Sequence, residues 1–336
     1  MKKFIIIFIS SFFALIFFEF FLKHSPFEYG VSAAEYDKTI GMWHKRNFEN
    51  YIVDTCYKTK YSYNDKGLPS NIVPYDPNKK DVIILGDSFI EARMVENENI
   101  IHNSLAKEFH YKYNFMNYGL FGTGPTQQFV ILKDKVDLNN TKYVIQFIEL
   151  EGDLLDVDSK NSNSLARPKV YVEFESLDKY KIIPPRKKTF YDTVSDKLSY
   201  YQIYPFIKKS IYSLKTFLSN KSEKKRNKKT EEEVDLSKNW LYLTGAIYQT
   251  NKLLHSLNRD IDYKIIIRSK GNKTQNPKNK KRIETFLNKH HIKFIFLNDV
   301  AKSMNIELKS FKCDSHWNDK SHQDVAKIIK EIGFIK

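Results

Sequence analysis

The sequence predicts an α/β protein: a central parallel sheet of about five strands, preceded by one N-terminal transmembrane helix. Three observations predict it. Short aliphatic runs bounded by turn residues alternate with helix-length stretches whose apolar residues recur every three or four positions, the pattern of parallel βαβ units. The first apolar run is instead nineteen residues long, Phe4 to Leu22, close to the roughly 20 residues of helix that cross a bilayer core. At 336 residues the chain also has room for one large α/β domain with appendages.

The N-terminal run is interrupted only by Glu19 and two serines, and Lys2 and Lys3 precede it. Those lysines favour a cytoplasmic N-terminus and send everything after Lys23 outward. A cleaved signal peptide is the rival reading. Its apolar region is usually shorter and its small-residue cleavage site follows closely, whereas the nearest such site here, Ser32-Ala33-Ala34, lies well past the run. An uncleaved anchor fits better, with residues 1–22 as tip and span. Residues 23–80, rich in Tyr, Asn, Lys and Pro, read as a membrane-proximal leader packed onto the main domain.

From Asp81 the pattern changes. Val82–Leu85 is a buried strand, followed by a helix through Ile100, Leu105 and Phe109. Tyr113–Asn117 is the second strand. Pro125 to Val136 is helical, with Pro in the first turn and Phe129, Leu132 and Val136 on one face. Tyr143–Ile148 is the third strand. Residues 154–235 read as an insertion or lid inside a domain running from 81 to 336. Within it, 219–230 is almost wholly polar and basic, a solvated loop that near a membrane would also touch anionic headgroups. Regular structure resumes with a helix marked by Trp240, Leu243, Ile247, Leu254 and Leu257. Strands follow at 263–271 (with a turn) and 292–299, and a closing helix spans His322–Ile332.

The charge is lopsided, 55 Lys and Arg against 40 Asp and Glu, a formal net of +15. Such a field favours anionic partners such as nucleic acid, phospholipid headgroups or acidic glycans. The lysines are spread along the chain with no zinc-finger or RNA-binding signature, so nucleic acid is not an expected partner. Cys56 and Cys313 are the only cysteines. No CxxC spacing supports a zinc site or thioredoxin-type chemistry; outside the cytoplasm the two thiols either pair or stay free.

In open parallel sheets, ligands gather beyond the carboxyl ends of strands, and Ser88 lies just past such an end in Gly86-Asp87-Ser88. It reads either as a helix cap after a tight turn or as a nucleophile whose amide, at a helix start, stabilises developing negative charge. A nucleophilic serine needs a base. Asp314 and His316, two residues apart before the closing helix, offer an imidazole and a carboxylate to orient it; alone, the pair also reads as a capped turn. Gly119, Gly122 and Gly124 follow the second strand and let backbone amides approach a ligand. Their spacing and position rule against a dinucleotide fingerprint, and no P-loop is present.

In this order, Gly-Asp-Ser after the first strand, Asn117-x-Gly119-x-x-Gly122 after the second, an acidic turn after the third and Asp-x-His before the last helix, the chain resembles the SGNH/GDSL hydrolase superfamily. The resemblance covers about residues 65–336, and Asn64–Asn71 is similar to the lead-in of its membrane-anchored bacterial members. It implies a flavodoxin-like three-layer α/β/α fold and an acyl-esterase that needs no cofactor or metal. By it, Ser88 is the nucleophile, His316 the general base and Asp314 its orienting acid. The amides of Ser88 and Gly122 form the oxyanion hole, with Asp87, Asn117, Asp153 and Trp317 lining the site. The two-residue Asp–His spacing is similar to that of anchored and periplasmic members that handle polysaccharide acetyl groups. An O-acylated carbohydrate is therefore the expected partner, met by a domain in the periplasm or cell exterior. In the family's commonest form Asp stands three residues before His, where this chain has Cys313; a Cys56–Cys313 disulfide would tie the leader to that loop.

One departure stands out. The family's third block supplies an Asn side chain to the oxyanion hole, and Gly152 occupies that position in Leu150-Glu151-Gly152-Asp153. Loss of one such donor costs about a hundred- to a thousandfold in turnover. An O-acyltransferase using the same acyl-enzyme, and a catalytically silent glycan-binding or assembly protein, are the alternatives.

Overall fold

The computed structural model describes residues 2–24, 33–157, 168–198, 201, 203–204, 206–207, 210–211, 236–257, 260–269 and 276–336. Helix α1 spans Lys2–His24, and within it Phe4–Leu22 is long and apolar enough to cross a membrane. Two antiparallel hairpins follow, β1 (Ala34–Asp37) with β2 (Gly41–His44) and β3 (Phe48–Val53) with β4 (Lys58–Tyr63). The alternation of α and β then begins: β5 (Asp81–Gly86), α2 (Ser88–Glu91), α3 (Ile101–Glu108), β6 (Asn114–Gly119), α4 (Pro125–Lys135), β7 (Thr141–Glu149) and α5 (Leu150–Asp156). A third hairpin, β8 (Tyr171–Phe174) with β9 (Tyr180–Ile183), precedes α6 (Phe190–Leu198) and α7 (Ser237–Ser256). The chain closes with β10 (Asp262–Arg268), α8 (Pro277–Lys289), β11 (Lys293–Phe296), α9 (Leu297–Ser303) and α10 (Asp319–Glu331).

The expected five-stranded parallel sheet is present, in the order β11-β10-β7-β5-β6. Both its faces are covered, which is why its central strands β5 and β10 carry the aliphatic runs Val82–Leu85 and Ile265–Ile267. Successive residues of β5 alternate faces. Ile83 and Leu85 pack among residues of α4, α7 and α8, and Val82 and Ile84 among residues of α2, α3, α9 and α10. The result is three layers, α/β/α.

Local differences from the sequence reading have physical reasons. The expected helix between the first two strands is broken into a single turn, α2, and a separate α3. Ala92 adopts a left-handed conformation (φ 53°) that ends α2, and a short 3-10 turn, Asn97–Asn99, leads into α3. The expected strand at 292–299 stops at Phe296, and Leu297–Ser303 is helical, with Leu297 and Ala301 buried against the sheet. The leader's β1–β4 do not stand out in the sequence because each is only four to six residues long, and β4 buries Thr59, Tyr61 and Tyr63, side chains that carry polar groups. Ile40, Trp43 and Leu68 nonetheless join the main core. Of the 154–235 insertion, β8 and β9 pack on α7 through Phe174 and Tyr242; its basic run, 219–230, lies outside the described residues.

Candidate active site

The residues singled out in the sequence converge at the carboxyl ends of β5, β6, β7 and β10. Gly86 pairs with Gly119 across β5 and β6, so the loops leaving those strands lie side by side. Gly86 is tight: a Cβ there would fall 2.2 Å from Ile90 Cγ1, so only glycine lets α2 fold back onto β5.

Asp87, not Ser88, caps α2: its Oδ1 accepts from the Phe89 amide at 2.9 Å. Its Oδ2 accepts from Arg268 Nη2 at 2.7 Å. Arg268, at the end of β10, is 1% exposed and lies with Cζ 3.4 Å from the Phe89 ring centroid, a stacked, ion-paired guanidinium that holds the turn before the serine. The capping role is thereby filled by a neighbour, and the Ser88 hydroxyl is left for another partner.

That partner is His316, whose Nε2 lies 2.7 Å from Ser88 Oγ. Its Nδ1 lies 2.6 Å from Asp314 Oδ1, and the same carboxylate oxygen accepts from the His316 backbone amide at 3.2 Å. The Asp-x-His segment is thus a capped turn and an oriented imidazole at once. Burial works to raise the Asp314 carboxyl, but its contacts with His316 and the Tyr57 hydroxyl outweigh that and leave it below its usual value. The Nδ1–H donates to this carboxylate, which leaves the Nε2 lone pair facing the serine O–H.

Tyr57, from the leader, donates its hydroxyl to Asp314 Oδ2 at 3.3 Å. Burial and the Asp314 charge push the phenol up to about 12, so it stays a donor. Beside this contact Cys56 and Cys313 form a disulfide, with Cα atoms 5.8 Å apart. Phe89 packs on the His316 ring (4.7 Å between centroids), and Trp317, 3% exposed, packs on Phe89. Trp317 thus supports the imidazole from the core side.

Gly122 takes a left-handed conformation (φ 64°) that favours glycine. Its loop is pinned to β5 by Leu120, whose amide donates to the Gly86 carbonyl at 3.0 Å, and by Thr123, whose hydroxyl does so at 3.2 Å. Asn117 lies beneath the loop rather than lining a cleft. It is fully buried, donates to the Ile90 carbonyl at 2.7 Å and accepts from the Gly119 amide at 2.8 Å.

The turn after β7 is built around Gly152. Glu149 caps α5, its Oε1 accepting from the Gly152 amide at 3.2 Å, and its Oε2 stands 2.3 Å from where a Cβ on residue 152 would be. An asparagine's amide nitrogen lies two bonds from its own Cβ, about 2.4 Å given standard bond lengths, so the Glu149 carboxyl occupies volume such a side chain needs. Asp153 is 5% exposed and accepts from the Glu149 amide at 2.9 Å. Burial, then the charges of Asp87 and Glu149, push it well above the usual carboxylate range; burial raises Glu149 as well. Gly152→Asn alone is therefore expected to evict Glu149 from its cap and destabilise the protein by about 1 kcal/mol. Thermal melts should find Glu149→Ala similar, and the double variant no worse than the costlier single, because both act on one volume. Additive losses would show that the two side chains do not compete.

Sequence reasoning did not find Tyr57, Glu149 or Arg268, nor Glu91 and His44, whose contacts reach the Gly122 loop. Only Glu91 is near the serine in sequence; the others come from strands or the leader, and no spacing links them to it. Among the described residues no group of three or more His, Cys, Asp or Glu is placed to hold a metal ion.

No protein-family model and no curated protein matches the chain. Among solved structures it is similar to a two-domain esterase active on acetylated mannans, at 10% identity and TM-score 0.41, covering 75% of this chain and 48% of that one. It thus spans about half the length of that esterase. It is also similar to acetyl xylan esterase AlAXEase (12%, TM-score 0.41, 75% and 99% covered). A third similar structure is a member of the lipolytic G-D-S-L family from Veillonella parvula DSM 2008 (10%, TM-score 0.40, 76% and 100% covered).

Proposed function

We propose that this chain is a serine acyl-esterase of the SGNH type, removing O-acyl groups, acetyl above all, from a carbohydrate. One observation carries the reading: the hydrogen-bonded chain from Ser88 Oγ through His316 to Asp314. A glycan-binding protein has no use for a serine hydroxyl held against an oriented imidazole.

In this mechanism Ser88 Oγ attacks the ester carbonyl carbon while His316 Nε2 takes its proton. The carbonyl oxygen becomes an oxyanion facing the amides of Ser88 and Gly122. As the intermediate collapses, the C–O bond to the sugar breaks and His316 returns the proton to the departing sugar oxygen. Water then attacks the acyl-serine, losing its proton to His316, and the carboxylic acid leaves as the serine is restored. A sugar hydroxyl in place of that water would make the same enzyme an O-acyltransferase.

The substrate class rests on the resemblance of the Asp-x-His spacing to members that handle polysaccharide acetyl groups, and on the apolar helix. Acetylated mannan, named for one of the similar structures above, belongs to that class. With Phe4–Leu22 as a single-pass span and the N-terminus cytoplasmic, the domain faces the periplasm or cell exterior, where a disulfide persists.

The test is active-site labelling of the detergent-solubilised chain with a fluorophosphonate probe. Covalent modification at Ser88, absent in Ser88→Ala, is expected, followed by acetate release from acetylated oligosaccharide. An unmodified Ser88 in the folded chain would end the serine-hydrolase reading. Label passing from an acyl donor to oligosaccharide, with none released to water, would replace esterase by transferase.

A further inference from the structure

Beneath the Gly122 loop lies a buried ionic network that the mechanism above does not use. Its centre is Glu91, the last residue of α2, which is 1% exposed. Glu91 Oε2 accepts from the Phe121 backbone amide at 2.8 Å. Its Oε1 accepts from Tyr63 Oη at 2.6 Å and stands 3.0 Å from His44 Nε2 and 3.1 Å from Arg93 Nε. The His44 Nδ1 lies 2.8 Å from the Gly67 carbonyl, and its ring stacks on Tyr63 with centroids 4.2 Å apart. Both ring nitrogens of His44 face oxygen atoms, so the ring is fixed at both ends.

A carboxylate inside a protein is retained only if its charge is met. Burial would raise Glu91, but Arg93 and His44 hold it down at about 2, so it is ionised throughout the neutral range. What the network touches matters more than its strength. Phe121 immediately precedes Gly122, and the peptide plane between them carries the Gly122 N–H. The Phe121 N–H lies in the preceding Leu120–Phe121 plane, so the Glu91 bond fixes the backbone from which the Gly122 plane departs, one Cα away. Arg93 adds a second hold, its guanidinium carbon 4.8 Å from the Phe121 ring centroid. Two of the other partners are the last residues of leader strands: His44 ends β2 and Tyr63 ends β4.

We propose that Glu91 is a positioning residue for the reaction: its carboxylate holds the backbone at Phe121, one residue before the peptide plane that carries the Gly122 N–H, so that the Gly122 amide meets the oxyanion, and the leader, through His44 and Tyr63, holds Glu91. This inference rests on the serine-hydrolase reading and adds to it. It makes residues 33–80 part of the catalytic apparatus rather than a spacer between membrane and domain. Hydrogen-bond donors at an oxyanion act through preorganisation, so a small rotation of that amide lowers turnover without changing how substrate binds.

The experiment compares Glu91→Gln and Tyr63→Phe with the unmodified full chain in detergent. It measures kcat and KM for 4-nitrophenyl acetate per folded molecule, with folding followed by circular dichroism. The expected result is a kcat lower by about a hundredfold in Glu91→Gln and about tenfold in Tyr63→Phe, with KM unchanged. Folded variants with unaltered kcat, or a loss carried by KM, would overturn the inference. Tyr63→Phe keeps the ring on His44 and leaves His44 and Arg93 against Glu91, so it decides the matter even where Glu91→Gln does not fold. Failure of the unmodified chain to label at Ser88 would bring down the hydrolase reading instead. Labelling at Ser88 with equal kcat in all three proteins would bring down this inference alone.

Discussion

His316→Ala is expected to lower kcat for ester hydrolysis by about a millionfold, and Asp314→Asn by about ten-thousandfold. The two numbers differ because the two residues do different work. At neutral pH the free serine hydroxyl is a weak nucleophile, and Nε2, 2.7 Å from Ser88 Oγ, is positioned to take its proton. Without the ring no other base stands at hydrogen-bond distance from Oγ among the described residues, so the serine contributes almost nothing. With Asn at 314 the ring remains, but a side-chain amide turned to donate toward Nδ1 favours the tautomer that puts the proton on Nε2, where it faces the serine and blocks it. The tautomer effect is specific to 314: Asp319, at the start of α10, contacts Glu96 and Asn99 instead, and Asp319→Asn should leave kcat near the unmodified value. Rates of 4-nitrophenyl acetate hydrolysis in folded variants check this. A His316→Ala protein within tenfold of the original would remove the imidazole from the mechanism.

These two variants also show how far the sequence could be read. Strands β5, β7 and β10 were legible as short runs rich in aliphatic residues between turn residues, and β6 and β11 as short apolar stretches between helix-length segments. Ser88, Asp314 and His316 were legible as an ordered set, although 228 positions separate the serine from the histidine. What stayed hidden depends on contacts across the fold. The cap of α2 is Asp87 because Arg268, 181 positions away, leaves Oδ1 free for the Phe89 amide while taking Oδ2. Gly152 read as an absence, a missing amide. In the folded chain it is a space filled by Glu149, three residues earlier, since the side chain of an N-cap turns back over the first turn of its helix. The hairpins of the leader went unread for another reason. Buried side chains within them, His44, Tyr61 and Tyr63, are polar or amphipathic, and the burial of His44 and Tyr63 is met by the Glu91 carboxylate on a different element.

Removing the disulfide with Cys56→Ser/Cys313→Ser is expected to destabilise the protein by about 2–5 kcal/mol and to lower the melting temperature by on the order of 10 °C. The cysteines are 257 positions apart, and a cross-link that closes so long a loop restricts the unfolded chain most. A second effect should exceed what stability explains. Each cysteine adjoins a member of the hydrogen bond that steadies the acid: Cys56 precedes Tyr57, and Cys313 precedes Asp314. The Cys313 amide also donates to Cys56 Sγ at 3.2 Å. Once the link is cut, the loop from Phe311 to His316 is held from outside itself by the Tyr57 hydroxyl on Asp314 and Ser88 on His316, besides local bonds such as the Phe311 amide to the His316 carbonyl and the Ser310 hydroxyl to the Ser315 carbonyl. Asp314 then loses the covalent tie beside it that keeps Tyr57 in place, and with it part of the hold that sets the imidazole against the serine. A displacement of about 1 Å there costs on the order of a hundredfold in turnover, well below the melting temperature and with the sheet intact. Peptide mass spectrometry without reductant should recover residues 56 and 313 linked, and reductant should slow the unmodified enzyme while leaving the double variant unchanged. Two free thiols in active enzyme would sever the leader from the catalytic loop. Equal kcat in the folded double variant would confine the disulfide to stability and leave the alignment of Asp314 to Tyr57 and the turn itself.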